Sequence, residues 1–265
     1  MALAGSPRLR VAGRGIDRRV WRVSEMLSMR GLRLAMQFLT RIPVPGVADF
    51  TPLDLSRSSI WFPVVGLIVG VLVALVTFAL GHRSHYLAAV VGVLAWVWLT
   101  GAMHLDGLAD LSDALGASHR DPQRFLAVLA DPHVGTFGMV SIVLVLLLKV
   151  SALALLTTDA LWGVPLILAW ARLGTLVWSR WLPPLKPGHG ERFSWQLSSG
   201  WVVFWTVLLL AASVAVAPVL CAAPLVIVAW GMWLKARLGG VTGDCLGAGV
   251  EVTEAALLLL LALVP

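Results

Sequence analysis

Long apolar runs separated by short polar segments make up most of this chain. A helix of about 20 apolar residues crosses the roughly 30 Å hydrocarbon core of a bilayer, because each residue of an α-helix adds about 1.5 Å. The runs therefore predict membrane-spanning helices over residues 60–80, 86–103, 137–157, 160–182, 200–217, 219–237 and 244–264.

The two ends of this apolar region depart from the pattern. Residues 31–45, GLRLAMQFLTRIPVP, predict a short amphipathic or re-entrant helix ended by its two prolines. At the other end, the purely apolar stretch AALLLLLALV is too short to cross a bilayer alone. The last span reaches full length only if its helix begins near Asp244 and takes Glu251 and Glu254 into the membrane edge.

The composition agrees with a membrane protein. The 265 residues are 59% hydrophobic and 13% charged, whereas soluble domains are about 25% charged, and the mean hydropathy is +0.89. The chain is therefore expected to be an all-α, polytopic transmembrane helical bundle of about six or seven spans. Residues 31–265 would form a single integral-membrane catalytic domain, preceded by a basic, disordered cytoplasmic extension over residues 1–30.

The positive charge is concentrated at the N-terminal end. The first 41 residues hold nine arginines against Asp17 and Glu25 and account for most of the net charge of +6. A basic segment can bind nucleic acid, but beside so many spans it is typical of a positive-inside anchor. We expect a lipid bilayer and no nucleic acid as partner, in a bacterial-type cytoplasmic (inner) membrane with the N-terminus inside. The loop charges then put three polar segments, 104–121, 131–138 and 239–254, on the cytoplasmic side, which supports one shared active site there.

The segment MHLDGLADLSDALGA, residues 103–117, carries a cluster of acids. On a helix Asp106, Asp110 and Asp113 lie within about 40° of one another, just after His104. Like charges repel unless a cation lies among them, and carboxylate oxygens without cysteine suit Mg²⁺ or Mn²⁺. The three aspartates are therefore candidate metal ligands, and the alternative is a solvated helix end with surface acids.

Two further segments combine acids with glycines. In ADPHVGTFG, Asp131 with the following proline indicates a helix start, and Gly135 could present backbone N–H groups to a phosphate. A plain loop-to-helix junction explains this segment too. In GGVTGDCLGAGVEVTE, Asp244 and Glu251 fall on one helix face with Glu254 about 60° further round. Acids entering a membrane helix indicate function, although a glycine-rich packing surface is the alternative.

Two basic residues interrupt apolar runs. Arg172 cannot easily reach the interface from the middle of its span, so we expect it to face the bundle interior, where a phosphate or an acidic partner would suit it. For Lys149 an internal ion pair is favoured over contact with substrate.

Acids, a divalent cation, flexible glycines and a buried arginine at one membrane face indicate phosphoryl-group chemistry on a membrane-associated substrate. Walker and Rossmann glycine patterns and a Ser/His/Asp arrangement are absent from the sequence. The driving energy would then come from a pre-activated nucleoside diphosphate.

Four motifs together resemble the cobalamin synthase family, the adenosylcobinamide-GDP ribazoletransferases. They are FLTRIPVP (38–45), MHLDGLADLSDALGA (103–117), DPHVGTFG (131–138) and GGVTGDCLGAGVEVTE (239–254), in the family's order. The resemblance implies Mg²⁺ as cofactor and a transfer in the assembly of the cobalamin nucleotide loop. Adenosylcobinamide-GDP and α-ribazole or its 5′-phosphate would be the substrates, and GMP would leave.

The resemblance also implies roles for individual residues. Asp106, Asp110, Asp113 and Asp244 would be metal ligands. The catalytic set would be His104, Asp106, Asp110, Asp244 and Glu251, in which Asp244 with Glu251, or His104 instead, takes the proton of the ribazole hydroxyl. The substrate and phosphate site would comprise Asp131, Gly135, Arg172 and Gly243.

Two other classes stay open from the sequence. The CDP-alcohol phosphotransferases also place aspartates at a membrane edge, but their Asp-Gly-x-x-Ala-Arg pattern is not met, since Asp110 stands where Ala-Arg is expected. A cation-coupled transporter would carry acids near the bilayer midplane and repeated halves, neither of which is evident. A homo-oligomer is possible, because spacings such as Gly66 to Gly70 pack helices within or between chains.

Overall fold

A computed structural model describes residues 29–118, 121–186 and 198–264, and nearly all of them form helices. The helices are α1 (Met29–Leu39), α2 (Pro52–Ser58), α3 (Phe62–Gly81), α4 (His85–Thr100), α5 (Met103–Ala117), α6 (Pro122–Val128), α7 (Thr136–Leu155), α8 (Val164–Trp181), α9 (Ser199–Val216), α10 (Ala223–Leu238) and α11 (Gly243–Leu263). Short 3₁₀ turns precede α3, α8 and α10. The predicted extension, residues 1–30, lies almost wholly outside the described residues and stays a prediction.

The helices confirm the predicted bundle of transmembrane spans. Six are long and apolar enough to cross a membrane: Pro52–Gly81, Thr136–Leu155, Ala160–Trp181, Ser199–Val216, Pro218–Leu238 and Gly243–Leu263. A seventh candidate is the pair of α4 and α5, which meet at an angle of 87°.

The boundary of the second predicted span was wrong. A straight helix was expected over residues 86–103, but α4 ends at Thr100. Gly101 and Ala102 follow with φ values of +62° and +60°, a left-handed conformation that ends a helix and turns the chain. The acid-bearing helix α5 therefore runs nearly perpendicular to α4.

The N-terminal helix α1 also ends earlier than its prolines suggest. The Thr40 hydroxyl donates to the Met36 carbonyl at 2.8 Å and accepts the Ile42 N–H at 3.2 Å. The Arg41 N–H donates to the Leu99 carbonyl at 2.8 Å. Because these bonds replace the helical ones, the helix stops at Leu39, and residues 40–42 tie α1 to the end of α4.

Helix α8 lies at the centre of the bundle, since 15 of its 18 residues are buried. Two glycines of α3 let the backbones approach closely: a Cβ on Gly66 would lie 2.5 Å from the Leu168 carbonyl oxygen, and one on Gly70 would lie 2.5 Å from Pro165 Cα. The small-residue spacing noted in the sequence thus packs two helices of the same chain.

Four buried charged side chains join α7, α8 and α11. Lys149 Nζ lies 2.7 Å from Glu251 Oε2 and 2.6 Å from Glu254 Oε2. Arg172 pairs with the other oxygen of Glu254, and all four residues are at most 4% exposed. We call these four residues the buried ionic group. The preferred interpretation of Lys149 as an internal ion pair is confirmed, and the partner of Arg172 is acidic.

Candidate active site

The first and third polar segments meet where α5 packs against the start of α11. A Cβ on Gly107 would lie 2.9 Å from the Asp244 carbonyl oxygen and 3.3 Å from Gly247 Cα. A larger residue at position 107 would therefore push the two helices apart. The lack of a side chain here is what places the acids of α5 beside Asp244.

The N-terminus of α11 holds the Asp244 side chain in place. The Thr242 hydroxyl accepts the Cys245 N–H at 3.3 Å as the N-cap of the helix. The same hydroxyl donates to Asp244 Oδ2 at 3.2 Å. The carboxylate therefore points back over the helix start, toward the loop that leaves α8.

That loop contributes Lys186, a residue that the sequence reasoning did not assign to the site. The Val241 N–H donates to the Pro183 carbonyl at 2.9 Å, and the Leu185 N–H donates to the Val241 carbonyl at 2.9 Å. This short parallel bridge places Lys186 Nζ 3.1 Å from Asp244 Oδ2. The sequence gives no signal for this contact, because α9 and α10 lie between the two residues along the chain.

Three aspartates from two helices share one electrostatic environment. Asp110 interacts with Asp106 on its own helix and with Asp244 across the interface, while Lys186 is the nearby cation. We call Asp106, Asp110 and Asp244 the acid group. Three carboxylates beside one ammonium leave excess negative charge, which favours binding of a further cation.

The acid group fits a magnesium ion that is bound together with substrate. Within the described residues, no three His, Cys, Asp or Glu side chains converge closely enough to hold a metal by themselves. Magnesium in enzymes is usually held by one or two carboxylates, with water and substrate phosphates as its other ligands. The carboxylate oxygens of the acid group match that chemistry.

A cavity of about 300 Å³ opens beside the acid group. Its polar and glycine-rich side is formed by His104, Asp106, Gly107, Gly243, Asp244 and Gly247. A larger cavity, of about 400 Å³, lies at the other end of α3 and α4 near His82 and His85, and no carboxylate lines it. The smaller cavity is lined by both Asp106 and Asp244, so it combines acids from two helices with space for a ligand.

Asp113 is engaged differently from the other two aspartates of α5. Its Oδ2 accepts the Gly135 N–H at 2.7 Å and its Oδ1 accepts the Gly138 N–H at 2.9 Å. The buried carboxylate thus caps the N-terminus of α7 and fixes the second polar segment against α5. The Gly135 N–H that was expected to bind phosphate is bonded to this carboxylate.

Asp113→Asn is expected to destabilise the fold by about 1–3 kcal/mol, because an amide has one acceptor oxygen and would leave one buried N–H without a partner. Thermal unfolding of the detergent-purified protein measures this, with the exposed Asp159→Asn as the matched control. An unfolding midpoint equal to that of the wild type would show that Asp113 does not cap α7.

Three other residues assigned from the sequence lie apart from the acid group. Asp131 is exposed and accepts the His133 N–H at 3.0 Å; this hydrogen bond and that from the His133 ring hold the pKa of Asp131 below its usual range. Glu251 and Arg172 belong to the buried ionic group. Around the cavity the structure brings together His104, Asp106, Asp110, Gly243 and Asp244.

Comparison of the sequence with known proteins identifies a family and named relatives that the chain resembles. Residues 31–262 match the family model described as cobalamin-5-phosphate synthase. A protein from Thiobacillus denitrificans named adenosylcobinamide-GDP ribazoletransferase is 52% identical over 236 residues, 88% of this chain and 94% of that protein. Proteins of the same name from Laribacter hongkongensis and Pseudomonas aeruginosa are 49% and 39% identical, covering 88% and 89% of this chain and 96% and 99% of their own.

No solved structure matches the chain. The family match covers the whole described region from α1 to the end of α11 except its first two and last two residues. The chain belongs to the cobalamin-5-phosphate synthase family.

Proposed function

We propose that this protein joins α-ribazole or its 5′-phosphate to adenosylcobinamide-GDP. The products are adenosylcobalamin or its 5′-phosphate and GMP. The observation that carries the proposal is the acid group with Lys186 beside an open cavity, in a chain whose relatives of up to 52% identity are named for this transfer.

The reaction breaks the phosphoanhydride bond of the diphosphate and forms a phosphate ester bond. A ribose hydroxyl oxygen of ribazole attacks the phosphorus that remains with the cobinamide, and the bond from that phosphorus to the oxygen of GMP breaks. The hydroxyl proton goes to a base, and GMP leaves with the electron pair of the broken bond. Asp106, Asp110 and Asp244 would hold Mg²⁺, which when bound supplies positive charge to the diphosphate oxygens.

His104 is the proposed base. The carboxylates that hold a cation are weak proton acceptors because their lone pairs and charge are engaged. His104 is two residues before Asp106 and lines the same cavity, so a nitrogen acceptor borders the cavity without belonging to the acid group. His104→Gln should lower kcat while leaving the Mg²⁺ requirement intact, and an unchanged kcat would assign the base elsewhere.

Lys186→Met is expected to raise the KM for adenosylcobinamide-GDP by about tenfold, because the ammonium would no longer face the substrate diphosphate. It should also tighten Mn²⁺ binding in the absence of substrates, since Asp244 loses its competing cation. Initial rates and electron paramagnetic resonance of Mn²⁺ measure the two effects. The exposed Lys235→Met on α10 is the control, and an unchanged KM with unchanged Mn²⁺ affinity would contradict this role.

The site is proposed to lie on the cytoplasmic side of a bacterial cytoplasmic membrane. At the acid-group end of the bundle the connections carry Arg124, Lys186, Lys235 and Arg237, whereas the other end carries Arg83; this asymmetry is typical of cytoplasmic loops. In a Cys221→Ser background, a membrane-impermeant thiol reagent added to intact cells should label Arg83→Cys and not Arg237→Cys. The reverse pattern would invert the proposed orientation.

The proposed function is tested by giving the detergent-purified protein two sets of substrates. Adenosylcobinamide-GDP with α-ribazole should yield GMP and a complete corrinoid, separated by chromatography. A CDP-alcohol with an acceptor alcohol should yield no CMP. Release of CMP without GMP would reassign the site to the CDP-alcohol phosphotransferase chemistry.

A further inference from the structure

The cavity beside the acid group has a second, apolar side. It is formed by Phe38, Leu39, Phe62, Met103, Thr175 and Leu246. The rings of Phe38 and Phe62 are nearly parallel, with centroids 6.1 Å apart and planes inclined by 10°. The two stacked rings thus line the same cavity as His104 and two carboxylates.

Helix α1 supplies part of this surface and is fixed in place by hydrogen bonds of the chain that follows it. The Arg41 N–H bond to Leu99 at 2.8 Å holds the end of α1 against the end of α4, directly before the turn that leads to Met103. Leu34, Ala35, Met36 and Leu39 are buried against the bundle. The apolar side of the cavity is therefore formed by helices that pack in the bundle and not by a loosely held terminal helix.

We infer that this apolar side binds the planar aromatic base of ribazole, with its ribose turned toward the acid group. The inference rests on the proposed function, because it assigns one substrate of that transfer to a subsite. A volume of about 300 Å³ is at the lower end of small-molecule sites. It accommodates a bicyclic base with part of its sugar and excludes the corrin ring.

The apolar side should bind the base of ribazole in preference to guanine, the other planar base in the reaction. Guanine carries an amide and an amino group along its edge, and burying these without hydrogen-bond partners is costly. The base of ribazole, a dimethylbenzimidazole, has a hydrocarbon edge that matches Phe38, Leu39 and Leu246. The single hydroxyl on this side, Thr175, donates to the Arg172 carbonyl at 2.7 Å, so it has no proton left for the carbonyl oxygen of guanine.

The arrangement also places the reacting groups in order. With the base bound on the apolar side of the cavity, next to Met103, the sugar hydroxyls face His104, Asp106 and Asp244. The diphosphate of the second substrate then approaches from the Lys186 side of Asp244. The two substrates therefore occupy different parts of the site and meet at the acid group.

Binding to the full-length, detergent-purified protein tests the inference without requiring turnover. The affinities of α-ribazole, free 5,6-dimethylbenzimidazole and guanosine are measured by calorimetry for the wild type, Phe38→Ala, Phe38→Leu and Phe50→Ala. Phe38→Ala should weaken α-ribazole binding by about tenfold or more, because an aromatic contact and its buried area are lost. Phe38→Leu, which keeps most of the apolar surface, should show a smaller loss. Phe50, which is half exposed and outside the cavity, provides the control that should not change.

Competition and kinetics separate the possible outcomes. Free dimethylbenzimidazole should displace α-ribazole and guanosine should not, while the KM for adenosylcobinamide-GDP should stay within about twofold of the wild type in Phe38→Ala. Displacement by guanosine, with that KM raised instead, would assign the cavity to the guanine base and overturn the inference. Unchanged α-ribazole affinity in Phe38→Ala would overturn it as well. Failure of the proposed function appears separately, as a wild-type protein that releases no GMP.

Discussion

Asp106→Ala is expected to lower GMP release from adenosylcobinamide-GDP by at least about a hundredfold, because the change would remove a proposed cation ligand from the reacting centre. Asp106 is exposed at the mouth of the cavity and shares the electrostatic environment of Asp110. Loss of its carboxylate leaves fewer oxygen ligands on α5 for the metal that neutralises the diphosphate. The effect is measured as kcat/KM over a Mg²⁺ titration.

The matched control for this change is Asp159→Ala. Asp159 is an exposed acid before α8, at the end of the bundle away from the acid group, so its loss should leave both turnover and the Mg²⁺ midpoint unchanged. Partial recovery of Asp106→Ala at higher Mg²⁺ would agree with weakened metal binding. Full Mg²⁺-dependent turnover in Asp106→Ala would exclude Asp106 as a ligand.

Lys149→Met is expected to reduce the free energy of unfolding by about 3–5 kcal/mol, because it leaves buried charge without a partner. In the wild type two cations face two anions, and Lys149 Nζ bonds both Glu251 and Glu254 at 2.7 and 2.6 Å. Removal of the ammonium leaves two buried carboxylates to share Arg172. Lys149 Nζ also lies 4.4 Å from the Trp96 ring centroid, a cation–π contact that would be lost too.

A second substitution separates lost charge balance from lost packing. Lys149→Met combined with Glu251→Gln restores one cation facing one anion, so the double variant should recover a large part of the stability. Unfolding in detergent, followed by circular dichroism, measures both variants, with the exposed Lys235→Met as control. A single variant as stable as the wild type would show that the buried ionic group does not hold α7 and α11 together.

The sequence was sufficient to predict the spans, the pairing of Lys149 inside the bundle and the joining of the three polar segments at one end. The spans follow from the length of the apolar runs. The pairing of Lys149 follows because a charge in the middle of a span cannot reach water. The bend at Gly101 and Ala102 was not predicted, because Ala102 adopts a left-handed conformation that its residue type does not favour.

The contacts of several assigned site residues depend on partners distant in sequence. Helical geometry correctly put Asp113 on the face of Asp106 and Asp110, but its oxygens bond N–H groups that lie 22 and 25 residues further along the chain. Glu251 likewise bonds Lys149 across 102 residues. Lys186 reaches Asp244 only through the register of the bridge between Pro184 and Val241, which no local pattern encodes.

The proposed role of the acid group is to catalyse a metal-dependent transfer that releases GMP. The most direct test is to measure GMP and corrinoid product together, with detergent-purified protein, adenosylcobinamide-GDP and α-ribazole, in the presence and absence of Mg²⁺. We expect GMP and a cobalamin product in equal amounts, formed only with the metal. A well-folded preparation that forms neither product with Mg²⁺ present, or that forms both equally well after complete chelation, would contradict it.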